Sequence, residues 1–230
     1  MMIQDRERVV LETLEKIPKQ NAVLIGGYAV NAYVPPRFSI DCDLVILDDA
    51  KAIEDTLKRD GYAKEEAGDV PYGNYVRYVR EKEKVSFDLL VNSVLDRESG
   101  VVFEAELFRK YSRKRVTVGR ANPIRIEMRI ADPELLFAMK FVSARKQDIR
   151  DLFMLAGDDL EWDLIVKIIS EKCNSDMVKK RIELTKLSIE SKGYRDSIHG
   201  PFGKMPDERF NSCKAKLLDF LQKNLGEMTC

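Results

Sequence analysis

Apolar residues recur along this chain with two different periods, and the change from one to the other divides it. Residues 5–17 carry Val9, Val10, Leu14 and Ile17 at helical spacing, which predicts an amphipathic first helix. Residues 22–25 are a short apolar run that stops at Gly26-Gly27, the pattern of a buried strand entering a tight turn. Residues 28–34 then predict one or two helical turns, ended by Pro35-Pro36. A second strand is expected over 41–47 and a helix over 49–60, with Gly61 as its stop. Further strands are expected over 75–80 and 84–91 around the polar turn 81–84, and another pair over 114–118 and 124–130. In the last of these Ile124, Ile126, Met128 and Ile130 alternate with Arg125, Glu127 and Arg129, the period of a sheet with one wet face.

From Asp132 onward the period becomes helical. Asp132-Pro133-Glu134 supplies a cap, a proline at the first helical position and a first-turn acid, opening a helix that runs to about Arg145. More helices are expected over 149–156, 162–172, 176–191 and 207–225, while His199 reads as a loop residue. The fold class is therefore α+β: a small mixed β-sheet core with flanking helices over 1–130, followed by a C-terminal helical domain over 131–230.

Composition changes this picture mainly by exclusion. Lys plus Arg and Asp plus Glu both total 39, so no global field announces a nucleic-acid or membrane partner. No apolar run approaches the roughly 20 residues needed to cross a bilayer, and the charged N-terminus does not read as a secretory signal. Cys42, Cys173, Cys213 and Cys230 are scattered without CxxC pairing, which points to a reducing cytoplasm. His199 is the only histidine, so a Ser-His-Asp hydrolase or a histidine-rich metal site would need unusual substitutes, and carboxylates must carry any catalysis.

Three features carry that chemistry. Gly26-Gly27 ends a strand and opens into a helix, where bare backbone can approach a phosphate and helix-terminal N–H groups can meet it. Such a turn can also be purely structural. Asp41-Cys42-Asp43 heads a strand, and the side-chain period of two puts both carboxylates on one face. Two close carboxylates repel unless a cation lies between them, and hard oxygen ligands suit Mg²⁺ or Mn²⁺; the bland alternative is a solvated turn. Asp88 sits within the apolar run Val85 to Val91, where a carboxylate is costly to bury unless it is paired or metal-bound. If its strand lies beside that of Asp41 and Asp43, three acids converge as a two-metal site requires.

Residues 26–46, GGYAVNAYVPPRFSIDCDLVI, with Asp88 on a later strand, resemble the signature of the nucleotidyltransferase superfamily related to DNA polymerase β. The resemblance is strongest to the abortive-infection, AbiEii-like branch and its uncharacterised prokaryotic relatives. That branch carries a helical Lys followed by an Arg and Asp-x-x-Asp-Leu, matched here by Lys140, Arg145 and Asp148-Ile149-Arg150-Asp151-Leu152. The resemblance implies that Asp41, Asp43 and Asp88 are catalytic and hold Mg²⁺ or Mn²⁺. It also implies that Gly26 and Gly27 cradle the phosphates, that Lys140 and Arg145 contact the triphosphate, and that Asp148 and Asp151 organise the site. Arg37 and Ser39 lie in the loop before Asp41; Arg37 would either neutralise triphosphate charge or pair with Asp41 and hold the loop. Two positions depart from the pattern: Tyr28 stands where the superfamily has Ser, and Gln147 where it has Lys.

The implied reaction moves a nucleoside monophosphate from an NTP to an acceptor hydroxyl on a tRNA end or a protein side chain, releasing pyrophosphate. A cognate antitoxin is the implied partner, and the helical domain would complete the nucleotide cleft. The basic stretch Arg109, Lys110, Arg113, Lys114 and Arg115 around Tyr111 is compatible with RNA, though five such cations alone usually mean a solvated surface. A catalytically degenerate nucleotide- or RNA-binding module, motivated by Tyr28 and Gln147, is the alternative from another class. A two-metal phosphodiesterase is a third, but it makes no use of Gly26-Gly27.

Overall fold

The computed structural model describes residues 1–65, 69–70 and 73–225. They form two compact units. The first comprises Met1–Leu95 and Val102–Asp132; the second comprises Asp96–Val101 and the chain from Pro133 onward.

The first unit contains α1 (Ile3–Lys16), β1 (Ala22–Ile25), α2 (Gly26–Val30), β2 (Asp41–Ile46), α3 (Lys51–Arg59), β3 (Ala63–Lys64) and β4 (Asp69–Val70). It continues with β5 (Gly73–Arg80), β6 (Val85–Val91), β7 (Ser93–Leu95), β8 (Val102–Glu104), α4 (Ala105–Lys110), β9 (Ser112–Val118) and β10 (Arg125–Ala131). Among the described residues the main sheet runs β3-β5-β6-β2-β1-β10-β9, with β4 on β5, and β7 and β8 pair separately. The sheet is mixed: β1 runs antiparallel to β2 but parallel to β10, and β2 runs parallel to β6. Central strands need apolar residues on both faces, and all four residues of β1 are buried. In β10, Ile126, Met128 and Ile130 point inward while Arg125 and Glu127 are exposed, as the alternation predicts.

One buried acid ties α1 to this sheet. The Glu7 carboxylate is 0% exposed and accepts the backbone N–H groups of Arg120 at 2.6 Å, Ala121 at 2.9 Å and Asn122 at 3.2 Å. The Asn122 side-chain amide donates to it at 2.8 Å. These bonds satisfy a charge that would otherwise be untenable in the core, and they fix the turn between β9 and β10.

The second unit contains α5 (Pro133–Ser143), α6 (Lys146–Leu155), α7 (Trp162–Lys172), α8 (Ser175–Glu190), α9 (Tyr194–Phe202) and α10 (Asp207–Asp219), then a π-helical turn, Phe220–Asn224. Its core is partly aromatic: Phe137 meets Trp162 and Phe220 edge-on at 5.5 and 5.4 Å, and those two rings stack at 4.6 Å.

Several sequence expectations shift. His199 lies in α9 rather than in a loop, because Pro201 falls near the C-terminal end of that helix, after its turns are already set. The helix expected over 207–225 changes to the π-helical turn at Phe220. The strands β3, β4, β7 and β8 and helices α2 (starting at Gly26) and α4 are short elements held by tertiary pairing more than by period. Among the described residues no helix is long and apolar enough to cross a membrane.

Candidate active site

The sheet register assembles a row of side chains from four consecutive segments. Ile25, just before Gly26, pairs with Asp43 across the β1–β2 junction. Asp43 pairs with Asp88 across β2–β6, and Asp88 pairs with Arg77 across β6–β5. Registered residues on neighbouring strands share a face, with Cβ atoms about 5 Å apart. Asp43 and Asp88 are therefore adjacent by backbone pairing. Asp41 lies two residues earlier on the same face, beside Ser86, whose hydroxyl donates to Asp41 Oδ1 at 2.5 Å. Cys42 points the other way and is fully buried; burial first, then the charges of Asp43, Asp88 and Asp41, push its thiol well above the usual range.

Both glycines leave room that a side chain would take. Gly26 has φ +66°, the left-handed region, and a Cβ there would lie 1.9 Å from Asp43 Oδ2. A Cβ on Gly27 would lie 2.8 Å from Ser39 Oγ and 3.0 Å from an Arg37 guanidinium nitrogen. The glycines thus form a shallow floor beneath Asp43, Ser39 and Arg37. With five residues, α2 is too short for a strong dipole, so open access to the backbone is what this turn offers an anion.

The loop above that floor is held by polar residues, of which the sequence pattern did not single out Asn31. Asn31, 4% exposed, brackets the Arg37 backbone: its Oδ1 accepts the Arg37 N–H at 3.0 Å and its amide donates to the Arg37 carbonyl at 2.9 Å. The Tyr28 hydroxyl donates to the Ser39 carbonyl at 2.7 Å, and the Ser39 hydroxyl donates to the Asp41 carbonyl at 3.1 Å. Tyr28 therefore braces the loop, while the hydroxyl over Gly27 comes from Ser39. A polar residue in an otherwise apolar helical turn was the available signal for Asn31.

Asp88 has a partner the sequence did not reveal. Arg77 Nε donates to Asp88 Oδ1 at 2.8 Å and Arg77 Nη2 to Oδ2 at 3.0 Å, a two-point fork. The Tyr75 hydroxyl adds a bond to Oδ1 at 3.2 Å. The hydrogen bonds to Asp88 push the guanidinium pKa above its ordinary value, against a smaller effect of burial. Among the described residues, no three carboxylate, thiol or imidazole groups converge as a metal cage. Asp41 and Asp43 form a hard-oxygen pair on one face, whereas the oxygens of Asp88 are turned to Arg77 and Tyr75.

In the helical unit Lys140, Asp148 and Asp151 make a buried cluster. Lys140 Nζ lies 2.6 Å from Asp148 Oδ1 and 3.0 Å from Asp151 Oδ2, with side-chain exposures of 13%, 9% and 0%. The Gln147 amide donates to Asp151 at 3.1 Å, and the Arg145 N–H donates to Asp148 Oδ2 at 3.3 Å. The Arg145 guanidinium reaches Asp96 at 3.4 Å. Burial opposes ionisation of Asp96, but the Ser99 hydroxyl and N–H, Ser143 and Arg145 hold its pKa below the ordinary carboxylate value. Asp96 carried no sequence signal; it joins this unit through chain folding far from Arg145 in sequence.

The basic stretch is largely engaged within the first unit. Arg109 donates to the Leu47 carbonyl and Asp48, Arg113 pairs with Asp132 at 2.6 Å, and Arg115 lies over the Tyr33 ring at 4.9 Å.

A family model described as "Nucleotidyl transferase AbiEii toxin, Type IV TA system" matches residues 10–223. Among solved structures, JHP933 from Helicobacter pylori is similar at 18% identity and a TM-score of 0.41, covering 97% of this chain and 90% of that one. The STING-associated CdnE c-di-GMP synthase from Capnocytophaga granulosa is similar at 10% identity and a TM-score of 0.24, covering 98% and 81%. No curated protein matches the chain.

Proposed function

The chain belongs to the AbiEii nucleotidyl transferase toxin family of type IV toxin–antitoxin systems, and from that premise we propose that it transfers a nucleoside monophosphate from an NTP to an acceptor hydroxyl, releasing pyrophosphate. The observation that carries this reading is the registered pair Asp43–Asp88, with Asp41 beside it and Gly26 close against the Asp43 carboxylate: bare backbone for phosphate next to carboxylates on one face.

The donor set of Asp41 and Asp43 fits a hard divalent ion, because both are carboxylates on one face and the neighbouring thiol of Cys42 faces away. Mg²⁺ or Mn²⁺ held there would supply Lewis-acid neutralisation of the triphosphate. The remaining work falls to the chain itself. Gly26 and Gly27 admit the phosphates to contact distance, the Ser39 hydroxyl turns from the Asp41 carbonyl to donate to a phosphate oxygen, and Arg37 offsets charge that grows on the pyrophosphate as its bond to the α-phosphorus breaks. The acceptor hydroxyl gives up its proton to a carboxylate of the row as it attacks. Lys140, Arg145 and Asp148 are assigned to the nucleotide by the resemblance alone.

For the acceptor we favour a tRNA end or a protein side chain. Engagement of Arg109, Arg113 and Arg115 within their own unit takes support from the basic stretch as an RNA track, so both acceptors stand. A cognate antitoxin and a cytoplasmic setting are part of this reading, supported by the family's description and the scattered cysteines. The degenerate-binder alternative, motivated by Tyr28 and Gln147, gains one structural observation, the fork of Arg77 on Asp88.

The test incubates the protein with each α-³²P-labelled NTP, Mg²⁺ or Mn²⁺, and total RNA or lysate protein, against Asp41→Asn/Asp43→Asn. Label in a discrete RNA or protein band, absent from the variant, is the expected result. NTP binding without label transfer to any acceptor would favour the degenerate module instead.

A further inference from the structure

Asp41 and Asp43 share a face of β2 but are held differently. Asp43 has a strand on each side, with Ile25 of β1 and Asp88 of β6 as its partners. Asp41 lies beyond the end of β1, and among the described residues only β6 pairs with it, through Ser86. The Ser86 N–H donates to the Ile40 carbonyl at 3.2 Å and closes the ladder at the head of β2. The Asp41 side chain therefore stands at a strand end with a neighbour on one side only, and its orientation must be set from that side.

Ser86 sets it. Its hydroxyl stands 2.5 Å from Asp41 Oδ1. An ionised carboxylate only accepts, so the single hydroxyl proton goes to Oδ1, and the length is that of a charge-assisted bond. Ser86 is 5% exposed, so little water can reach in to replace that bond. Oδ1 is thereby engaged, and Oδ2 is the oxygen offered to an ion. That choice separates one class of ion from another. A small divalent ion keeps a near-octahedral shell in which a carboxylate gives one oxygen, whereas Ca²⁺ takes a larger, irregular shell that often uses both. We propose that Ser86 is a positioning residue that sets metal selectivity: by occupying Oδ1 it makes Asp41 a one-oxygen ligand, which favours Mg²⁺ or Mn²⁺ over Ca²⁺. This rests on the reading that Asp41 binds the metal.

The test titrates the whole chain, free of nucleotide, with Mn²⁺ by the electron paramagnetic resonance of the free ion, then displaces Mn²⁺ with Ca²⁺, so neither affinity depends on turnover. In Ser86→Ala the Mn²⁺ Kd is expected to rise about tenfold, the lower end of what losing such a partner costs, while the Ca²⁺ Kd stays within about threefold. Ser86→Thr keeps the hydroxyl and is expected to hold both values within about threefold of native. Ser86→Cys, with a weak donor, repeats the alanine result should Ser86→Ala not fold by circular dichroism. Asp41→Asn is the control for the site and should lose most of the Mn²⁺ affinity. With that control behaving so, an unchanged Mn²⁺ Kd in Ser86→Ala, equal weakening of both ions, or the same loss in Ser86→Thr would overturn the proposal. A native chain that binds no Mn²⁺, or Asp41→Asn binding it as well as native, would instead overturn the assignment of Asp41 to the metal, and the selectivity role with it.

Discussion

Replacing Gly26 with alanine should damage turnover far more than stability, and the structure gives both sizes. The added Cβ would lie 1.9 Å from Asp43 Oδ2, where real contacts do not fall under 3.0 Å, so the carboxylate must retreat by about 1 Å. A misplacement of that size at a reacting centre costs on the order of 100-fold in rate, or about 2.7 kcal/mol of barrier. The backbone adds its own cost: at φ +66° alanine is strained by about 1–2 kcal/mol, partly offset by about 0.4–1 kcal/mol from a less flexible unfolded chain. The net loss of stability is roughly 1 kcal/mol, a fall in Tm of about 2–4 °C. Label transfer from α-³²P-NTP measures the first effect and differential scanning fluorimetry the second, with Mn²⁺ affinity as an activity-independent readout of Asp43. Gly27→Ala is the comparator. Its Cβ meets the movable ends of Ser39 and Arg37, so a loss of about tenfold is expected by the same geometric argument. Turnover by Gly26→Ala within threefold of native would refute the reasoning, because Asp43 could then not be held where the chemistry needs it.

Other consequences are as direct. Lys140→Met removes the ammonium that Asp148 and Asp151 share in a buried setting, so a loss of about 3–5 kcal/mol in urea unfolding is expected; a loss below 1 kcal/mol would mean the cluster is not a structural unit. Any activity lost by that variant therefore counts toward nucleotide contact only after stability is matched. Glu7→Ala removes a buried carboxylate that three backbone N–H groups of the β9–β10 turn share, and should cost roughly 3–5 kcal/mol, read from the same unfolding curves; an unchanged midpoint would contradict its role in holding that turn. Asp96 has a lowered folded pKa, so its contribution to stability is present above about pH 4 and fades as pH falls through that lowered value. The urea midpoint of the native protein should accordingly fall more steeply than that of Asp96→Asn as pH drops below about 4, and parallel curves would reject the link. Cys42, buried with its thiol pushed up, should escape iodoacetamide at pH 8 in the folded chain and label fully in urea, as peptide mass spectrometry would report.

The sequence by itself determined the elements whose periods are long and whose chemistry is local. The alternation in 124–130 and the helical spacing after Asp132 gave the α+β class, because burying one face demands that pattern whatever the neighbours are. Asp41-x-Asp43 had to share a face because a strand has a period of two, and Gly26-Gly27 marked a turn that side chains would obstruct. Tertiary structure alone decided what depends on register. That Asp88 lies against Asp43, and that Arg77 arrives on its far side, follows from which residues of β2, β5 and β6 pair, and a slip of one residue would turn each of those side chains to the other face. The bracket of Asn31 on Arg37, the brace of Tyr28 on Ser39 and the bond of Asp96 to Arg145 belong to the same class. Each joins residues through hydrogen bonds whose geometry exists only once separate segments are packed, so composition and spacing carry no trace of them.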